Sequence, residues 1–310
     1  MKVVFCGTPQ FAVPTLKRLV AEDFEVALVV TNPDEPRGRG YELKPPPVKE
    51  AALTAGIEVF QPARLKDPEA QATITAAHPD AIVVVAYGHL IPPWMVGLPP
   101  LGCINLHASL LPRYRGAAPI PWAIMLGERV TGNTTMKIDA GLDTGDILMQ
   151  QEIEIAADDT AETLAARLSV PGAGLMVETL RRLVDHQITA RPQDHERATL
   201  APMLKKEDGR IDWTMPSRQI ACRVHGLRPW PVAYTTFRGK ALQIWAAQPF
   251  ASARPLQPGE LGTEAGRLIA GCGGMTILEL SEVQAPGRKR IQARDFAHGV
   301  RLQEGEMLGG

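Results

Sequence analysis

KVVFCGTPQFAVPTLKRLVA, residues 2–21, opens with a short apolar run, turns at a Gly-Thr-Pro, and continues with apolar residues at helical spacing over 11–21. Two more apolar runs, FEVALVV (24–30) and AIVVVAY (81–87), are separated by a second helical stretch, 47–55. Strands that alternate with helices are typical of βαβ units around a parallel sheet. The sequence therefore predicts an α/β fold with a Rossmann-like parallel-sheet domain.

The turn after the first strand lacks the glycines of a nucleotide site. Gly7-Thr8-Pro9 stands where a helix amino terminus binds anions, but neither GxGxxG nor GxxxxGK[ST] is present. Without those glycines the backbone cannot approach a pyrophosphate closely. We expect no NAD or ATP site here.

A short strand, GCINLH (102–107), carries an amide and an imidazole two positions apart, Asn105 and His107. Side chains two apart on a strand share a face. A loop beginning near Pro112 ends the strand, and ligands of parallel sheets bind beside strand carboxyl ends. We therefore expect His107 to lie close to a ligand crevice.

A glycine-rich turn, GLDTGDIL (141–148), presents carboxylates between two apolar runs. Asp139, Asp143 and Asp146 are the candidates, and Asp143 is the predicted partner of His107. The alternative is structural, because a histidine at a strand end is commonly a satisfied polar group and turn aspartates commonly cap the turn.

NLHASLLPRYRGAAPI (105–120) and GLDTGDIL together resemble the signature of the folate-dependent formyltransferases. VVFCGTPQFAVPTL, TNPDEPRGRGYELKPPPVK, IVVVAYGHLIP, LKKEDGRIDW and GLRPWPVAYTTFRGKALQIW resemble that family in the same order. The resemblance implies that Asn105, His107 and Asp143 are catalytic. It also implies a reaction in which 10-formyltetrahydrofolate, the co-substrate, gives its formyl group to the α-amino group of initiator methionyl-tRNA.

The chemistry of formyl transfer suggests a role for each of these three residues. We expect His107 to move the proton of the attacking amine, because an imidazole titrates near neutral pH. Asn105 would donate to the developing oxyanion, and Asp143 would orient His107 and stabilise its charged form.

The resemblance also implies two binding surfaces. Folate is expected to lie against Tyr87, Gly88, Leu90 and Ile91, beside the loop Ser109, Leu110, Leu111 and Pro112. The expected tRNA contacts of the second surface are Arg37, Arg39 and Lys44 in a long Pro/Gly-rich loop, where Tyr41 offers stacking. The basic charge of the carboxyl-terminal part adds Lys205, Lys206, Arg288, Lys289 and Arg290 as candidates.

The charge is unevenly distributed along the 310 residues, although the net charge is only −1. Residues 1–202 hold 18 Lys+Arg against 24 Asp+Glu, whereas 203–310 hold 15 against 10. The carboxyl-terminal part is therefore the predicted polyanion surface, with Arg210, Arg223, Arg228, Arg238 and Lys240 as further candidates. A solvated face remains the alternative for about half of these residues.

Two domains are expected at this length. We predict a formyltransferase domain over 1–186, a linker over 187–204, where helical periodicity is lost, and a small β-barrel over 205–310 with turns at 238–239, 273–274 and 286–287. The resemblance implies that this barrel is OB-like. Two helices are predicted between 158 and 184. The four scattered cysteines indicate neither disulfide nor metal site. With no signal peptide or membrane span expected, a cytoplasmic monomer is the default.

Two other functions remain open on the sequence. A formyltransferase acting on a small amine would share the three catalytic residues without needing the basic loop or barrel. A non-catalytic nucleic-acid-binding module would need none of the three, so their joint presence favours an enzyme.

Overall fold

A computed structural model of the chain describes residues 1–37 and 42–309. Its packing defines two compact units. The first comprises Met1–Pro119, Val130–Glu154 and Ala165–Pro202, and the second comprises Ile120–Arg129, Ile155–Leu164 and Met203–Gly310. The domain limits given above stay a prediction, to which this packing adds two short segments, 120–129 and 155–164, that belong with the carboxyl-terminal unit.

The strands and helices follow the predicted alternation. In chain order the strands are β1 (Lys2–Gly7), β2 (Glu25–Val30), β3 (Glu35–Arg37), β4 (Glu42–Lys44), β5 (Val59–Phe60), β6 (Ala81–Val85), β7 (Cys103–His107), β8 (Val130–Lys137), β9 (Ile147–Glu154), β10 (Ala233–Phe237), β11 (Lys240–Phe250), β12 (Leu261–Glu264), β13 (Arg267–Cys272), β14 (Thr276–Gln284) and β15 (Ile291–Gln292). The helices are α1 (Val13–Ala21), α2 (Pro47–Thr54), α3 (Pro68–Ala76), α4 (Pro93–Val96), α5 (Pro119–Met125), α6 (Ala161–Val184), α7 (Ser217–Gly226) and α8 (Ala293–Gly299).

The first unit is built on a seven-stranded sheet in the order β5-β2-β1-β6-β7-β8-β9. Residues of β1 point alternately to two apolar layers: Val3 and Phe5 pack with α1, α2 and α6, whereas Val4 and Cys6 pack with α3 and α4. Because both faces are covered, the central strands are continuously apolar. The predicted α/β fold is confirmed.

The sheet is mixed rather than wholly parallel. Strands β5, β2, β1, β6 and β7 run parallel, but β8 is antiparallel to both β7 and β9. The predicted parallel sheet therefore holds for the other strands but not for the pairings of β8. β9 returns antiparallel to β8 because the loop 138–146 is too short for the crossover that parallel strands need. This loop is the one that carries Asp143.

A single helix, α6, replaces the two predicted between 158 and 184, and Pro171 lies inside it. Proline normally ends or kinks a helix because it lacks an N–H. Here the helix continues because residues on both sides of the proline are buried, among them Leu168, Met176 and Leu180. In the described residues no helix is both long and apolar enough to cross a membrane.

The second unit contains an antiparallel sheet in the order β10-β11-β14-β13-β12, with β15 paired to β14. The three predicted turns lie between the strands of this sheet. Residues 306–309 bond to both edges: Gly309 N donates to Thr236 O at 2.9 Å, and Leu308 N donates to Gly259 O at 2.7 Å. Residues 306–309 thus bond to β10 and to the residues that lead into β12, and the OB-like barrel stays a prediction.

Candidate active site

Strand β7 places Asn105 and His107 on one face, as predicted. Ile104 and Leu106 point the opposite way, into the layer formed with α1 and α6. In the antiparallel pairing with β8, Asn105 is opposite Met136 and His107 is opposite Thr134. His107 is 6% exposed, whereas Asn105 is only partly buried. No side-chain hydrogen bond of Asn105 is found within residues 1–37 and 42–309, so its amide is available to a ligand.

The two ring nitrogens of His107 lie in different surroundings. Nε2 is 2.9 Å from the backbone oxygen of Tyr114. A carbonyl oxygen can only accept, so Nε2 carries a hydrogen and donates it. Nδ1 faces Asp143 Oδ2 at 3.6 Å, which is too long for a direct hydrogen bond. The nitrogen that carries no hydrogen in this tautomer is therefore Nδ1, which lies beside the Asp143 carboxylate.

Asp143 is held by its own loop. Its Oδ2 accepts a hydrogen bond from Gly116 N at 2.8 Å, and its backbone has φ +51°, a left-handed conformation that aspartate tolerates better than most residues. Asp139, by contrast, accepts from Thr144 Oγ1 at 2.7 Å and from Gly141 N, and so braces the turn. Of the two, only Asp143 is close to His107.

A buried hydroxyl on β8 fixes the loop after β7. Thr134 Oγ1 donates to Ser109 O at 2.6 Å and accepts from Leu111 N at 3.1 Å, while Gln150 Nε2 donates to it at 3.0 Å. Sequence reasoning missed Thr134 and Gln150. The alternation of β8 and β9 gave a weak signal for both, but their partners lie on other strands and loops.

Both parts of the chain match one protein family. Residues 1–180 match the formyl transferase family and residues 203–301 its C-terminal domain. The methionyl-tRNA formyltransferase of Koribacter versatilis is 55% identical over 310 residues, covering 100% of this chain and 99% of the relative. The chain belongs to the methionyl-tRNA formyltransferase family. The corresponding enzyme of Solibacter usitatus is 52% identical, with 100% and 99% covered.

Solved structures of formyltransferases share the fold. The N-formyltransferase from Helicobacter canadensis, solved with folinic acid and dTDP-3-aminofucose, has a TM-score of 0.68 at 16% identity. The match covers 92% of this chain and 99% of that one. Likeness at this identity concerns the fold alone, and it agrees with an α/β sheet domain followed by an antiparallel β domain.

The residues expected to line this formyltransferase's folate pocket differ in exposure. Gly88 and Leu90 are exposed, Leu90 at 85%, and Ile91 is partly buried. Tyr87 is buried, and burial raises the pKa of its hydroxyl. In the neighbouring loop, Leu110 and Pro112 are partly buried, Leu111 packs in a small apolar cluster, and Ser109 Oγ donates to Arg113 O at 2.6 Å.

The residues expected to contact tRNA lie on the surface wherever the structure describes their side chains. Lys44, Lys205, Lys206, Arg288, Lys289 and Arg290 are exposed. The Arg290 guanidinium stacks over Trp245, 3.6 Å from the ring centroid, and lies 3.8 Å from Glu282. Arg37 is the last residue of β3, and Arg39 and Tyr41 lie outside the described residues.

Proposed function

We propose that this chain transfers the formyl group of 10-formyltetrahydrofolate to the α-amino group of initiator methionyl-tRNA, using Asn105, His107 and Asp143. The observation that carries the assignment is the position of His107, whose Nε2 donates to Tyr114 O while Nδ1 faces the Asp143 carboxylate. The family match over both units supports the reaction, and the geometry supports the residue roles.

The proton steps follow from the two ring nitrogens. As the amine nitrogen bonds to the formyl carbon, His107 Nδ1 takes its proton, and the Asp143 carboxylate stabilises the resulting imidazolium. When the bond between that carbon and folate N10 breaks, the same proton passes to N10. Atoms balance: the products are N-formylmethionyl-tRNA and tetrahydrofolate, and His107 returns to its neutral form.

Asn105 supplies the hydrogen bond that the intermediate needs. Negative charge develops on the formyl oxygen as the carbon becomes tetrahedral, and an amide N–H fixed on a strand meets it without reorganising. Asn105 is on the same face of β7 as His107 and its amide is unused by the described residues, which suits this role.

Folate and tRNA are assigned to different surfaces. The exposed Gly88 and Leu90, with Ile91 and the 109–112 loop, are the proposed folate contacts. The basic residues of 37–44 and of the second unit are the proposed tRNA contacts, since phosphates are bound by exposed lysine and arginine.

The test is formylation of charged initiator methionyl-tRNA with 10-formyltetrahydrofolate, followed by acid-gel mobility and mass. Wild-type protein should formylate the initiator species and spare elongator methionyl-tRNA. His107→Asn should lower kcat by roughly a hundredfold to ten-thousandfold, the usual contribution of a general base.

The matched control is His78→Asn, because His78 is exposed and its positive φ suits asparagine. It should keep wild-type turnover. Near-normal turnover in a folded His107→Asn variant would refute the proton-transfer role. No formyl-tRNA from folded wild-type protein would instead favour a small-amine acceptor.

A further inference from the structure

Residues 191–201 lie along both loops of the candidate active site. Arg191 pairs with Ile147, the first residue of β9, through backbone hydrogen bonds of 2.8 and 2.9 Å. Further on, Arg115 N donates to Thr199 O at 2.8 Å and Ala201 N donates to Arg115 O at 2.7 Å. The segment 191–201, hereafter the backing segment, is therefore bonded to Ile147, just after the 139–146 loop, and to the loop after β7. It falls inside the region predicted as a linker.

Gln193 is the buried polar side chain among the described residues of the backing segment, with 5% exposed. Its Nε2 donates to Asp143 O at 2.9 Å and to Gly145 O at 2.7 Å. Its Oε1 accepts from Arg115 Nε at 3.1 Å and from Arg115 Nη2 at 2.7 Å. Both the oxygen and the nitrogen of the Gln193 amide therefore have partners. Because a guanidinium only donates, the amide atom that faces Arg115 must be the oxygen. The two carbonyls it holds flank Thr144, next to the catalytic carboxylate.

Arg115 anchors Gln193 from the opposite loop. The residue is 6% exposed, and its Nη2 is 3.1 Å from His195 Nδ1, which must accept because guanidinium only donates. Across residues 1–37 and 42–309 Arg115 has no carboxylate partner, so neutral acceptors alone hold a buried cation. Its neighbour Gly116 donates to Asp143 Oδ2. The carboxylate of Asp143 and the backbone of Asp143 are therefore fixed from the same side.

Thr199 connects the backing segment to His107. Its Oγ1 accepts from Tyr114 N at 2.9 Å, and Tyr114 O accepts from His107 Nε2. Tyr114 has φ +61°, a left-handed conformation that a bulky residue rarely adopts without support. The hydroxyl of Thr199 holds this backbone where its carbonyl sets the orientation of the imidazole.

We propose that Gln193 and Thr199 are positioning residues of the formyl-transfer site, Gln193 acting through Asp143 and Thr199 through the Tyr114–His107 pair. The proposal rests on the proposed roles of Asp143 and His107. Misplacing a reacting group by about 1 Å costs on the order of a hundredfold in rate. Neither residue needs to touch substrate to influence kcat.

The decisive experiment is a double-mutant cycle between Gln193 and Asp143. Gln193→Ala should lower kcat by roughly tenfold to a hundredfold and leave KM for folate and tRNA within about threefold. In an Asp143→Asn background the same change should lower kcat less than about threefold, because the carboxylate it positions is gone. Gln187→Ala is the matched control, since Gln187 is exposed and lies outside the backing segment.

Gln193→Glu is a second variant that separates loss of the Nε2 hydrogen bonds from loss of folding. A carboxylate keeps both acceptor contacts to Arg115 but cannot donate to the carbonyls of Asp143 and Gly145. Its kcat should fall at least as far as that of Gln193→Ala. Wild-type kcat in this variant would overturn the role of Gln193. The role would also be overturned if Gln193→Ala lowered kcat as much in the Asp143→Asn background as in the wild-type protein.

The outcomes separate the two proposals. If Asp143→Asn lowers kcat and Gln193→Ala does not, the positioning role fails while the proposed function stands. If Asp143→Asn itself turns over normally, the catalytic assignment of Asp143 fails and the role of Gln193 fails with it. Thr189 and Thr199 are both exposed, but only the Thr199 hydroxyl accepts from Tyr114 N. Thr199→Val should therefore lower kcat about tenfold relative to Thr189→Val without changing KM; equal kcat in these two variants would overturn the role of Thr199.

Discussion

At the scale of single residues, His107 can be compared with the histidine of a serine-protease triad. The two differ in the part played by the ring nitrogen that faces the carboxylate. In serine-protease triads the carboxylate accepts from a protonated Nδ1 and Nε2 is the base. Here Nε2 donates to a backbone carbonyl, and the nitrogen proposed as the base is Nδ1, beside Asp143. In the proposed mechanism the carboxylate therefore lies beside the proton that the reaction transfers.

Cys103 shares the β7 face of Asn105 and His107, yet it is not a nucleophile. Its Sγ contacts Met95 O at 3.2 Å, and burial raises the pKa of its thiol to about 12. Burial likewise raises the pKa of Cys272 to about 12 and that of Cys6 well above its ordinary value. Because the thiolate is the reactive form, these three thiols stay protonated and inert near pH 8.

We therefore expect native protein treated with iodoacetamide at pH 8 to be alkylated first at the partly exposed Cys222. All four cysteines should react once the chain is unfolded in urea. The measurement is the mass shift over time, with peptide mapping. Rapid alkylation of Cys103 in the native protein would show that its surroundings are more open than the structure indicates.

At the scale of elements, α6 shows how packing overrides local sequence. Two helices were predicted over 158–184, but α6 runs unbroken through Pro171. Asn133 Nδ2 of β8 donates to Leu168 O at 2.9 Å, so the helix is bonded to the sheet within one turn of the proline. Gly172 allows this approach, since a Cβ there would lie 2.9 Å from Leu106 Cδ2 and 3.1 Å from Asn133 Nδ2. The pairing could not be predicted because strand and helix are distant in sequence.

Two glycines of this helix should respond oppositely to alanine. Gly172→Ala should lower the free energy of unfolding by about 1–3 kcal/mol, because the new methyl overpacks the contact with β7 and β8. Gly174→Ala should raise it by about 0.5–1 kcal/mol, because nothing lies within 4 Å of its Cβ and alanine favours helix. Urea denaturation of both variants checks the pair. Equal effects would mean that α6 does not lie against the sheet as described.

At the scale of the whole molecule, charge separates the two ends of the chain. Residues 203–310 carry 15 Lys+Arg against 10 Asp+Glu, and the run 288–290 is exposed at the turn between β14 and β15. Arg290 is partly engaged with Trp245 and Glu282, whereas Arg288 and Lys289 make no side-chain ion pair among the described residues. These two are the better tests of phosphate binding.

Arg288→Ala and Lys289→Ala should each raise KM for methionyl-tRNA and reduce its dependence on salt. A lost phosphate contact lowers the slope of log affinity against log salt by about 1. KM for folate should not change. Arg64→Ala, an exposed arginine of the first unit, is the control. The series is measured at several salt concentrations, and a slope that changes only in Arg64→Ala would place the tRNA surface elsewhere.

Three features could be predicted from the sequence: the alternation of strands and helices, the shared face of Asn105 and His107, and the turns of the second unit. These are local properties, because periodicity and turn chemistry depend on neighbouring residues. Tertiary structure decided the antiparallel strands β8 and β9, the unbroken α6, the approach of Asp143 to His107, and the burial of Gln193 against Arg115. Each of those depends on contacts between residues far apart in the chain, whose partners are fixed only when the sheet and its loops pack together.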